Sequence, residues 1–274
     1  MTMIVFAEFL GGRVLAVKDL DGATVQQIGG TALASPSGLA VDPSGTVVAA
    51  ELDAHAVSLA KAGAAWTRFG THGSGVNEFA RPAAAAFRDG SIIVLDSGNH
   101  RLVQLSDIDG TGWTTYGHRG RPTADDPAEG AFADPRGVAV DELGRIWVSD
   151  PGNSRVIRVD AIDGTGWVEI PLPAGTVPYG ISAHGSGVHV VDSGNQQIIT
   201  VDADGAVTNL IGLADGTWVS PAFVTATGDD VVIADVVANE LRSLAADGTV
   251  TAALRGSPPD QLDPLFDSIG GVAA

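Results

Sequence analysis

The sequence predicts an all-β fold, a six-bladed β-propeller formed by residues 1–274 as a single domain, and three observations lead there. No stretch of the 274 residues sustains a helical period, and the 36 glycines suit a chain of many tight turns. The stretch from Phe132 to Val159, FADPRGVAVDELGRIWVSDPGNSRVIRV, holds three short runs rich in β-branched residues, separated by turn residues. A fourth run, Trp167 to Ile170, follows the turn Asp163-Gly164-Thr165-Gly166, and four short antiparallel strands make one propeller blade. The third observation is recurrence. An acid ends the second strand at Glu8, Glu51, Asp96, Asp150, Asp192 and Asp235, at spacings of 43, 45, 54, 42 and 43 residues. Six positions after each acid an aliphatic residue opens the third strand: Val14, Val57, Leu102, Val156, Ile198 and Leu241.

Taken in order, the elements start with an incomplete unit. Ile4 to Ala7 reads as a second strand, Arg13 to Val17 as a third and Thr24 to Ile28 as a fourth, with no first strand before them. The last residues, Phe266 to Ala274, match Phe132 to Val140, so the C-terminal segment is expected to supply the missing innermost strand. Such closure removes an exposed sheet edge. The other blades are expected to begin at Gly38, Ala84, Gly137, Gly180 and Phe223, small residues predominating where six strands converge. A large apolar residue precedes each blade at Leu33, Phe79, Phe132, Trp218 and Phe266, while Gly175 breaks the set. Trp66, Trp113 and Trp167 open outer strands, where packing between adjacent blades is expected in preference to a sugar-binding ladder.

The segments EFARP, LDSGNHRLVQL, FADPRGVAVDELGRIWVSDPGNSRVIRV and VVDSGNQQI resemble NHL repeats, the units of a family of β-propellers. The resemblance covers nearly the whole chain. It implies the propeller fold and leaves function open, because such propellers serve as binding modules and as several unrelated enzymes. The peptide-amidating lyases that NHL propellers resemble place zinc-binding histidines after the Pro of several blades, and the corresponding positions here hold no histidine. The acid and Asn/Asp set of metal-dependent lactonases is likewise missing from the inner-strand starts.

Composition narrows the function classes. A net charge of −18 argues against nucleic acid, whose phosphates require a basic face to displace counterions. Arg119 and Arg121, with His118, form the one basic cluster in the sequence; Asp125, Asp126, Glu129 and Asp134 follow and oppose its field. With no cysteine, disulfides and thiolate metal sites are excluded. The start, MTMIVFAEFLGG, lacks a basic n-region and does not resemble a signal peptide, and no run approaches the ~20 apolar residues of a membrane span. The expectation is a cytoplasmic monomer without membrane association, with a processed secretory form left open.

Candidate site residues follow from propeller geometry, in which loops and inner-strand starts meet at the axial mouth. The residues after each Pro-like position are Ser37, Ala83, Arg136, Tyr179, Ala222 and Gly270. Four small residues beside one guanidinium and one phenol suggest a pocket for an anionic or carbonyl-bearing small molecule or a peptide; the alternative is that Arg136 pairs with Asp134 or a neighbouring Asp and Tyr179 fills space. The connections between blades bring His72, Arg81, His118, Arg119, Arg121 and Trp218 to the same face, Trp218 as a stacking surface or a core cap. His55 and His100 occupy equivalent turn positions. The repeated acids invite a metal-binding reading, but one per blade, each before a turn, points to backbone capping. No metal or cofactor is expected. If the pocket is catalytic, the expected chemistry is a metal-free lyase, hydrolase or cyclisation reaction. Tyr179 would then be acid/base, Arg136 the oxyanion stabiliser and His72 or His118 a relay. A protein-interaction platform on the rim is the third reading.

Overall fold

The structure is a computed structural model, and it describes residues 3–18, 20, 24–30, 32–123, 129–212, 218–227, 230–256 and 269–274. Six four-stranded antiparallel sheets form six blades, numbered I to VI here. Blade I combines Ile269–Ala273 with Ile4–Glu8, Arg13–Val17 and Gln26–Ile28. Blade II runs through Pro36–Val41, Val47–Glu51, Ala56–Ala60 and Thr67–Phe69, and blade III through Ala84–Arg88, Ser91–Asp96, Arg101–Leu105 and Thr114–Tyr116. Blade IV comprises Gly137–Val140, Ile146–Asp150, Arg155–Val159 and Val168–Pro171. Blades V and VI begin with Pro178–His184 and Pro221–Thr227 and end with Val207–Gly212 and Val250–Arg255. Each of the six acids is the last residue of its second strand.

The ring closes as expected. Ile269–Ala273 pairs antiparallel with Ile4–Glu8, matching Val5 to Ala273 and Phe6 to Val272. The innermost strand of each blade packs on that of the next, and the strand of blade VI packs on Ile269–Ala273. Phe266, the expected cap of this blade, lies outside the described residues.

Side chains alternate across a strand, so each blade offers an apolar face to both neighbours. The buried residues accordingly sort into six clusters, one per junction between blades. At the III/IV junction Phe132 is wholly buried with Leu95, Leu102, Ile146 and Ile157, and Trp167 packs over it. Trp113 meets Phe79 at 5.2 Å at the II/III junction, and Trp66 donates its indole N–H to the Ile28 carbonyl at the I/II junction. The three outer tryptophans therefore bind blades together, where they bury large areas. Near the axis only small residues fit. A Cβ placed on Gly38 would lie 2.6 Å from Ala84 Cα, a backbone atom that cannot move aside.

Two short parallel bridges were not legible in the sequence. Thr71–His72 pairs with Glu78–Phe79, and His118–Arg119 with Ala131–Phe132. They fold the connections entering blades III and IV back over the loop-bearing face.

Candidate functional site

The six acids are nearly fully buried, and their oxygens are occupied by the chain itself. Asp150 accepts the Ala133 N–H, the Asn153 amide and Arg155 Nε, tying the incoming connection to the second and third strands. Asp96 does the same with Ala80, Asn99 and Arg101. Asp192 accepts from Val177, Asn195 and Gln197, and Asp235 from Val219, Ser220 and Ala238. Burial pushes the carboxyls of Asp96 and Asp150 upward and outweighs these bonds. At Asp192 burial acts in the same direction, but the hydrogen bonds prevail and its carboxyl sits below the usual range. Glu8 binds Arg13 five residues on, as Asp96 binds Arg101 and Asp150 binds Arg155, whereas Glu51 accepts the Ala34 N–H and reaches Arg68 on the outer strand. One acid per blade is thus a fastening of the fold. Among the described residues no group of three or more His, Asp or Glu is placed to hold a metal.

At the axial mouth, Ser37, Ala83, Ala222 and Gly270 are buried rather than lining an open floor. Arg136 donates to Asp134 at 2.8 Å, and its guanidinium carbon stands 5.6 Å from the centre of the Tyr179 ring. Tyr179 in turn meets Phe223 edge-on at 5.6 Å. The cavity beneath Arg136 is about 30 Å³, the space of one water molecule. Arg136 and Tyr179 are therefore brought together, but over a narrow channel.

The other expected residues gather one ring outward, at two neighbouring junctions built on the same plan. At the II/III junction His55, four residues after Glu51 and held at φ 53°, accepts the Arg81 N–H at its Nδ1 at 3.0 Å. His72 packs against His55 with ring centres 4.2 Å apart and planes tilted by 44°. Arg81 pairs with Asp53 at 3.2 Å, and Asp53 also accepts from Ser35 Oγ. At the III/IV junction His100, four residues after Asp96 and held at φ 54°, takes the place of His55. Arg119 stands where His72 does, and Asp134 where Arg81 does. His100, Arg119, Gly120, Arg121, Ala133 and Asp134 line a pocket of about 240 Å³.

The electrostatics of the two junctions differ accordingly. His100 Nδ1 is buried without a hydrogen-bond partner, a state that costs about 1–3 kcal/mol in general. Burial, and next the charge of Arg119, hold the His100 imidazole below its usual range. Burial does the same for His55, with help from His72 and Arg81. Arg121 donates to the Gly152 carbonyl, and the Arg119 side chain has no hydrogen bond or ion pair among the described residues. Asp134, expected from the sequence to cancel this basic cluster, pairs with Arg136 instead. Asp125 and Asp126 lie outside the described residues, as do most of the connections at 213–220 and 255–268.

His118 is exposed on its bridge, outside the pocket lining. Trp218 is buried at the V/VI junction with the Arg242 guanidinium 4.4 Å above its ring, so both its position and its face are occupied. His100 was the pocket residue not singled out for binding. The offset of four from the acid, shared with His55, was the available signal.

The sequence model of the NHL repeat matches residues 132–158. No curated protein matches the chain. Solved structures share its fold. A chain of a nidogen/laminin complex has a TM-score of 0.78 at 17% identity, covering 99% of this chain and 97% of that one. A streptogramin B lyase has a TM-score of 0.69 at 14% identity, covering 93% and 80%. A catalytically inactive virginiamycin B lyase from Staphylococcus aureus, solved with quinupristin, has a TM-score of 0.61 at 16% identity, covering 85% and 77%. These are propellers that include a lyase and a component of a protein complex.

Proposed function

We propose that this NHL-repeat propeller is a binding module that takes a small molecule or peptide on its loop-bearing face, at the junction of blades III and IV. One observation carries the reading: Arg119, without a partner among the described residues, lines an open pocket of about 240 Å³ in a chain of net charge −18. By contrast Arg68, Arg101, Arg145, Arg155 and Arg242 are each paired with a buried carboxylate. A cation left facing a concave surface is a recognition element, and loops on a rigid scaffold are where such elements sit.

The catalytic alternative would use Tyr179 and Arg136 on the axis. The ion pair between Arg136 and Asp134 and the cavity of about 30 Å³ beneath it favour binding at the flanking junction instead. The likeness to both lyases and a protein-complex component is compatible with either use of the face and decides neither. The test is a thermal-shift screen of polar metabolites and short acidic peptides against the wild type and Arg119→Ala. A ligand that raises the melting temperature of the wild type and not of the variant is expected. Ligands that stabilise both proteins equally would move the site elsewhere.

A further inference from the structure

Resting on the loop-face reading, we infer that the junction of blades III and IV recognises an oxyanion, the carboxylate or phosphate head of a small acid, through Arg119 and Arg121. The charge balance around the pocket is the first reason. Asp134 is the carboxylate that lines it, and Arg136 neutralises Asp134 at 2.8 Å. Arg121 gives one donor to the uncharged Gly152 carbonyl, and the Arg119 side chain makes no hydrogen bond or ion pair among the described residues. Two guanidinium charges therefore remain uncompensated among the described groups that line the cavity. A planar guanidinium presents paired donors that match the two oxygens of a carboxylate or the edge of a phosphate.

The neighbouring junction is an internal control. The same backbone plan at blades II and III is filled by the protein: His72 lies on His55, the Arg81 N–H satisfies His55 Nδ1, and Asp53 takes the Arg81 charge. At the III/IV junction Arg119 takes the place of that imidazole and Asp134 that of Arg81, and His100 Nδ1 is left unpaired beside the cavity. Burial and the adjacent Arg119 hold the His100 imidazole below its usual range, and the ring adds a polar wall to the pocket. Size sets the class. About 240 Å³ lies below the ~300–1,000 Å³ of pockets that swallow a drug-sized ligand, so the junction holds a head group and leaves the remainder on the open rim.

The probes are sulfate, inorganic phosphate and succinate, each titrated calorimetrically at low ionic strength into the wild type. The same titrations are run with Arg119→Gln/Arg121→Gln and, as control, Arg81→Gln. The double variant is expected to bind the preferred anion about tenfold more weakly or worse, with the control unchanged and added salt weakening the wild type. Tighter succinate than sulfate or phosphate would assign a carboxylate, and the reverse order a phosphate. Both arginines are exposed, so the variants are expected to melt with the wild type. Wild-type protein that binds none of the three anions, or a double variant that binds them equally, would overturn the oxyanion assignment. An uncharged ligand lost on Arg119→Gln would also overturn it while leaving the loop-face site standing. A ligand indifferent to Arg119 would remove both.

Discussion

Deleting Ile269 to Ala274 removes the innermost strand of blade I and should destabilise the whole ring. Ile269 and Val272 are 3% and 7% exposed, and both belong to the cluster between blades VI and I. At roughly 1.5–3 kcal/mol for each fully buried side chain, their loss costs about 3–6 kcal/mol. The pairing of Val5 with Ala273, Phe6 with Val272 and Ala7 with Gly271 is lost as well, at about 1 kcal/mol net per ladder bond. The total approaches the ~5–15 kcal/mol that stabilises a typical domain. At about 2–4 °C per kcal/mol for a chain of this size class, the melting temperature should fall by on the order of 10–35 °C. The truncated blade would also expose Val5 and Ala7 as an unpaired edge, so aggregation on heating is expected. The assay is thermal unfolding followed by far-ultraviolet circular dichroism and calorimetry, with a peptide of residues 269–274 added in trans. Identical melting of the full and truncated chains would refute closure as the source of ring stability.

Two further predictions concern buried polar groups. Asp150→Ala leaves Arg155, 1% exposed, without its innermost counter-charge, and should cost about 3–5 kcal/mol by urea unfolding; Asp192→Asn, whose partners are amides, should cost less. Equal losses would contradict the ion-pair account. His189 is pushed down to about 4, first by burial and then by the charge of His184. Unfolded, the imidazole titrates at its usual 6.5, so the unfolded chain binds more protons between that pH and about 4. The contribution is complete above pH ~6.5 and is lost as the pH falls through the window, by at most about 3 kcal/mol. His189→Asn should flatten the part of the unfolding midpoint that depends on pH there, and parallel curves for the two proteins would sink the assignment.

The sequence by itself determined the repeat, its phase and its closure. Strand runs, turn residues and the acid at each second-strand end are local signals, and Glu8, Glu51, Asp96, Asp150, Asp192 and Asp235 all fall where the spacing put them. The small residues at the inner strands and the tryptophans at the outer ones were legible for the same reason, since ring geometry imposes size at fixed positions. The candidate site was legible only as a roster of charged residues on one face. That Trp218 would lie under Arg242 and that Arg119 would face a cavity beside His100 depended on how neighbouring connections fold across one another. The parallel bridges that bring them there join segments whose sequences carry no strand period. The period of a blade is written along the chain, whereas the contents of a junction are set by side chains from two blades meeting in space.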